Sequence, residues 1–205
     1  MRADQRMVAT DGYEVMLFPM NVLQMTQDEG GDFSHAGTYN IDFVGMWSHY
    51  PLYAPCTLRI RRIVSDSNGL ILDSVDKVHL PNGQLDYITL LVAHDKNPPS
   101  MQIGHVFNQG ELFYHTGTYG YVTGDHVHMC IGQGSGGDLV QRSTGNWDLS
   151  NRIHMWEGMY VNDTDIIQGY GHNWQRYTGP TPTPTRKKSK FPWVLVARKF
   201  RSGTR

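Results

Sequence analysis

Turn signals interrupt this sequence too often for long helices to form. Pro55, Asn68-Gly69, Pro81-Asn82-Gly83, Pro98-Pro99, Asn108-Gln109-Gly110 and Tyr119-Gly120 break up the stretch from 55 to 120, and residues of these types either lack a ladder donor or tolerate a left-handed backbone. Between such breaks lie short runs rich in β-branched and aromatic residues, at 14–18, 39–44, 58–64, 86–94, 111–116 and 125–131. Helical periodicity is weak, and the apolar segment at 165–169 is too short for a helix. The sequence therefore predicts a mostly β fold of antiparallel sheets joined by long loops.

Composition agrees and narrows the class. Of 205 residues, 39% are hydrophobic, enough for a real core, while 22 glycines and only 18% charged residues argue against a helical bundle or coiled coil. No apolar run approaches the roughly 20 residues of a membrane-spanning helix. Two cysteines, Cys56 and Cys130, exclude a disulfide scaffold and a four-cysteine zinc knuckle.

The net charge of −1 conceals a division. Residues 186–205 hold eight Lys/Arg and no acids, whereas the first 185 residues hold ten Lys/Arg against nineteen Asp/Glu. A Pro/Thr spacer at 178–185 (TGPTPTPT) separates the two, and alternating prolines keep it extended. The expected organisation is a domain at 1–177, a linker at 178–185 and a basic tail at 186–205. Basic residues placed outside an acidic body do not suggest nucleic-acid binding.

Histidine carries the chemical signal, with ten in the chain. His126-Val127-His128 places two imidazoles on one face of a strand, about 7 Å apart, while Val127, Met129 and Ile131 face the other way. A solvated strand face would also accept such a pair. Asp42, however, lies between the core-directed Ile41 and Phe43, where a carboxylate is costly unless paired or bound to a cation. His35 precedes that strand, and His94 ends the apolar run 90–93.

These elements occur in an order that resembles the lysostaphin-type (LytM-type) zinc metallopeptidases. The resemblance covers about residues 33–131. It includes Tyr53-Ala54-Pro55, Gly104-His-Val-Phe-Asn-Gln-Gly110 and Gly120-Tyr-Val-Thr-Gly-Asp-His-Val-His128. It implies that His35, Asp42 and His128 bind one zinc ion and that His94 and His126 are the catalytic histidines. Such a three-ligand set leaves a coordination position open for water. There is no HExxH glutamate, so a histidine must serve as general base. Six residues separate His35 from Asp42, a longer spacing than is usual in the family, which is expected to enlarge a turn at 36–38. Tyr119, Tyr121 and Trp47 are candidates for the substrate groove, along with Tyr114.

The implied activity is hydrolysis of peptide bonds in the stems or cross-bridges of bacterial peptidoglycan. Residues 1–6 lack the apolar stretch of a signal peptide. The expected setting is therefore a bacteriophage lysin made in the host cytoplasm and released by a holin, or one carried in a virion. The tail is expected to bind anionic wall polymers or to begin a further binding domain, with a solvated leftover as the plain reading. Two other classes stay open: a non-catalytic wall-binding or virion structural protein on the same fold, and a Cys/His hydrolase using Cys130 or Cys56. His49, His79, His105, His115, His154 and His172 fit no motif and read as turn or surface residues. The run Gly132–Gly137 reads as a flexible loop.

Overall fold

The computed structural model describes residues 2–181. Half of the spacer, 182–185, and the whole basic tail lie outside them. In chain order the strands are β1 (Glu14–Val15), β2 (Val22–Gln27), β3 (Ile41–Phe43), β4 (Pro51–Tyr53), β5 (Leu58–Val64), β6 (Gly69–Ser74), β7 (Val78–His79) and β8 (Leu85–Asp86). They continue as β9 (Ile88–Ala93), β10 (Val106–Phe107), β11 (Leu112–His115), β12 (Val127–Gln133), β13 (Leu139–Gln141), β14 (Trp147–Leu149), β15 (Arg152–Ile153) and β16 (Asp165–Gln168). A single helical turn, α1 (Met155–Gly158), follows β15. The fold is mostly β, as expected. No helix among the described residues is long and apolar enough to cross a membrane.

One large sheet organises the molecule, in the order β10-β5-β6-β9-β12-β3-β2-β16, with β15 pairing to β12. At its centre β9 reads ITLLVA, apolar on both faces, and all six residues are buried. A strand without alternation must be covered on both sides, and that is how β9 sits. On one face Val92, Met129, Leu70 and Ile41 join the main core with Phe18, Phe43 and Leu72. On the other, Ile71, Leu91 and Cys130 pack under Leu149 of β14. Each fully buried side chain of this size contributes about 1.5–3 kcal/mol of apolar transfer free energy.

Several sequence expectations need correction. Strands β2 and β6, like the short β4, β7, β13, β14 and β15, lie outside the expected runs. Polar Gln24 and Thr26 dilute the apolar pattern of β2, and β6 opens on Gly69, which reads as a breaker. Instead a short turn at Ser65–Ser67, closed by Asn68 at φ 48°, folds β6 back on β5. The predicted strand at 86–94 is two strands, β8 and β9, and the segment at 165–169 forms β16. The sheets are mixed: β1 runs parallel to β7 and β2 parallel to β16. Both partners lie far apart in sequence, so no hairpin forces them antiparallel. The Gly132–Gly137 run is not free either, since the Asn151 amide donates to the carbonyls of Gln133 and Gly134.

Both cysteines are completely buried. Burial pushes each thiol well above its ordinary pKa, and for Cys130 the Asp148 carboxylate 3.0 Å away adds to the effect. Neither is a reachable thiolate, so the Cys/His hydrolase reading has no nucleophile.

Candidate metal centre

Strand register builds the centre. Asp42 on β3 lies directly opposite His128 on β12, which in turn faces Ala93 on β9. Directly opposed residues share a face and bring their Cβ atoms within about 5.5 Å. His128 projects from the same face as Cys130, two residues on, but beyond the edge of the apolar patch. The turn at 28–38 carries His35 to this pair, and His35 is fully buried. Gly37, at φ 73°, allows that turn.

Three donor atoms converge. Asp42 Oδ1 lies 3.0 Å from His128 Nδ1 and 3.2 Å from His35 Nε2, and the two imidazole nitrogens are 3.2 Å apart. The edge of a zinc tetrahedron with bonds of about 2.1 Å is about 3.4 Å, so this triangle has the dimensions of a ligand set. Its protonation points the same way. His35 Nδ1 is 3.0 Å from the carbonyl of Asp28. A carbonyl can only accept, so Nδ1 carries a proton and Nε2 is the atom turned to the centre, where a cation would meet it beside the buried carboxylate. Burial alone would push the Asp42 carboxyl up, but His128 and His35 outweigh it and hold it far below the usual carboxylate range. Burial likewise pushes His128 below its ordinary value, against the pull of Asp42.

His94 and His126 flank the triangle with their rings 4.8 Å apart. His94 Nδ1 donates to the Tyr119 carbonyl at 2.9 Å, and His126 Nδ1 to the Gly124 carbonyl at 2.9 Å. Each therefore turns its Nε2 toward the centre, and His126 Nε2 stands 3.6 Å from Asp42 Oδ1. Burial and the neighbouring His128 lower the His94 pKa to about 4, so its ring is neutral at physiological pH.

The centre is open. A cleft of roughly 230 Å³ is lined by Phe33, Asp42, His94, Tyr121, His126 and His128. A second cleft of roughly 500 Å³, lined by Arg62, Leu91 and Trp147, shares Ser34, His94, Tyr121 and His128 with the first. Tyr121, 84% exposed and stacked on Phe33, stands between them. Of the expected groove aromatics, only Tyr121 lines these clefts. Tyr119 supplies its carbonyl to His94 rather than its ring. Trp47 packs on Tyr50, and Tyr114 is buried with its hydroxyl donating to the Asn68 carbonyl.

The remaining histidines are not all bland. His105 is exposed, and His79 is paired with Asp11. His154 and His172 sandwich Trp156 and hold Glu29 and Asp28 respectively, at 2.6 and 2.9 Å. This stack braces the turn whose Asp28 carbonyl orients His35, a supporting layer that sequence spacing gave no hint of. Burial pushes the Glu29 carboxyl up to about 7 despite His154. His49 and His115 also meet, around Asp95.

No model of a known protein family matches the chain. Morphogenesis protein 1 of Bacillus phage B103 is 34% identical over 164 residues, covering 80% of this chain and 45% of that protein. The chain thus spans about half the length of this curated relative. Among solved structures it is similar to the catalytic domain of the prophage-encoded M23 protein EnpA from Enterococcus faecalis, with TM-score 0.41, 18% identity, and 55% of this chain and 82% of that one covered. It is also similar to the catalytic domain of the antimicrobial peptidase lysostaphin from Staphylococcus simulans, with TM-score 0.41, 16% identity, and 56% and 83% covered.

Proposed function

We propose that this chain is a zinc peptidase of phage origin that cleaves peptide bonds in bacterial peptidoglycan. The observation that carries the reading is the convergence of His35, Asp42 and His128 beside two oriented histidines, His94 and His126, in an open cleft. His35, Asp42 and His128 would hold the ion through Nε2, a carboxylate oxygen and Nδ1. A bound zinc ion supplies Lewis acidity, lowering the pKa of water and polarising a carbonyl. His94 and His126 supply the proton traffic. A free Nε2 would take a proton from the attacking water, and the imidazole so protonated would stabilise the oxyanion and hand that proton to the departing amine. The Asp28 carbonyl fixes the tautomer of His35. Phe33 and Tyr121 form the wall along which an extended peptide would lie.

The relative's name, a morphogenesis protein of a Bacillus phage, favours a virion-associated setting over a free endolysin. A structural protein that keeps the fold without turnover is the alternative. Digestion of purified peptidoglycan separates the two: turnover abolished by 1,10-phenanthroline and restored by zinc is expected. Full turnover in metal-free protein, or none in zinc-loaded protein, would end the proposal.

The tail at 186–205 is proposed to hold anionic wall polymers. Its eight cations would offset an otherwise acidic body at the wall. Deleting it is expected to slow lysis of whole cells far more than hydrolysis of a small peptide. The difference should fade as salt shortens the Debye length from about 10 Å at 0.1 M to about 3 Å at 1 M. Equal lysis by both forms at low salt would show that the tail is a leftover.

A further inference from the structure

We propose that His49, Asp95 and His115 form a second site for a divalent transition metal ion, directly behind His94. The three come from separate segments. His49 lies two residues before β4, His115 ends β11, and Asp95 follows His94 at the exit of β9. Pairing of β11 with β4 sets His115 opposite Pro51 and so brings His49 to it. The two imidazole rings stand 4.0 Å apart, tilted by 31°. Gly117 closes the third side: a Cβ there would come within 2.2 Å of the His94 carbonyl, so only glycine lets the end of β11 lie against the turn that carries Asp95.

Hydrogen bonds hold this arrangement only at long range, including one from the Asn97 side-chain amide to His49 Nε2 at 3.4 Å. Both Asp95 oxygens are already taken by backbone amides, Oδ1 by Asn97 at 2.9 Å and Oδ2 by His115 at 3.1 Å. The imidazole nitrogens stay farther off: His115 Nδ1 is 3.3 Å from Oδ2, and His49 Nδ1 is 4.0 Å from Oδ1. His49 Nδ1 also lies 3.3 Å from the carbonyl of Thr116. These are long for N–H···O bonds, whose usual range is about 2.7–3.2 Å. They bracket the edge of about 3.4 Å expected between ligands on a tetrahedral ion with bonds of about 2.1 Å. The donor atoms of the three residues lie within 4.8 Å of one another. His49 reaches the position with a left-handed backbone, φ 61°, which is uncommon for a residue with a side chain.

The donor set also selects the class of ion. Two imidazoles and one carboxylate suit zinc, nickel, copper or cobalt, and they are too few and too nitrogen-rich for calcium or magnesium. Asp95 is buried, while His49 and His115 are about a quarter exposed, at 26% and 28%, and Asp95 and His115 line a cleft of roughly 270 Å³ through which an ion can enter. The wider spacing at His49 makes this the weaker of the two sites. An ion here would tie the loop before β4 and the end of β11 to the residue next to His94. The His94 backbone is itself left-handed at φ 88°. The second ion would thus position His94 rather than touch substrate.

Titration of the metal-free full-length chain with Zn2+ against a chromophoric chelator tests this. The wild type is expected to bind two equivalents, one tight and one weaker. His49→Ala/His115→Ala should keep only the tight one, and His35→Ala/His128→Ala only the weaker, so the two sites stand or fall separately. His105→Gln, at an exposed position, should keep both. Should the double alanine variant not fold, His49→Cys provides a second reading. With Co2+ it should show a sulfur-to-cobalt charge-transfer band that the wild type lacks. A single zinc equivalent in the wild type, two in a folded His49→Ala/His115→Ala variant, or a folded His49→Cys variant without the band would overturn the proposal.

Discussion

His128→Ala and Asp42→Ala are each expected to lose the tightly bound zinc and, with it, peptidase activity. Either change removes one corner of a triangle whose edges are 3.0–3.2 Å. Two protein ligands rarely hold a catalytic zinc. The ion's Lewis acidity supplies several kcal/mol to such a hydrolysis, so its loss should cost about 10³-fold or more in kcat/KM. Asp42→Asn tests charge separately from shape. The amide fits the same space between Ile41 and Phe43 but does not neutralise a dication, and it should weaken zinc binding while preserving the fold. Metal analysis of the purified variants checks this. Wild-type zinc content and activity in His128→Ala would show that the ion is held elsewhere.

His94→Ala and His126→Ala should behave in the opposite way, keeping zinc and losing about 10²–10⁴-fold in activity, the usual contribution of general acid–base catalysis. The His94 ring is anchored by the Tyr119 carbonyl and the His126 ring by the Gly124 carbonyl, and neither lies at a corner of the triangle. The pH profile carries a further expectation. With its pKa lowered to about 4, His94 keeps its free base throughout the neutral range and is protonated only as pH falls through about 4. Activity lost between pH 7 and 5 should therefore not arise from protonation of His94, and whatever part of it follows loss of zinc reflects protons competing for the ligand imidazoles. Kinetics and zinc content measured on the same samples would show it. A limb near pH 6.5 with zinc fully retained, and absent in His94→Ala, would contradict the depressed value.

Much of the centre was legible because strand geometry is periodic. The alternation Ile41-Asp42-Phe43 marked a carboxylate facing away from the core, and His126-Val127-His128 marked two imidazoles sharing a face. The register then placed Asp42 against His128. The braces were not legible. Asp28 and His172, or Glu29 and His154, lie more than a hundred residues apart, and only the closed fold brings them together. The same holds for His49, Asp95 and His115, which belong to no local pattern and meet because Gly117 allows a close backbone approach. Turn residues misled where they open a strand, as Gly69 does in β6. The parallel pairing of β2 with β16 depends on the whole chain between them.

The histidine-lined cleft is expected to break peptide bonds in a zinc-dependent way. Mass spectrometry of purified peptidoglycan digested by the zinc-loaded protein tests it most directly. New free amino and carboxyl termini within stem peptides or cross-bridges are expected, each pair accounting for one added water, with glycan chains intact and no cleavage by His128→Ala. New reducing sugar ends without new peptide termini, or the same peptide products from His128→Ala, would contradict it.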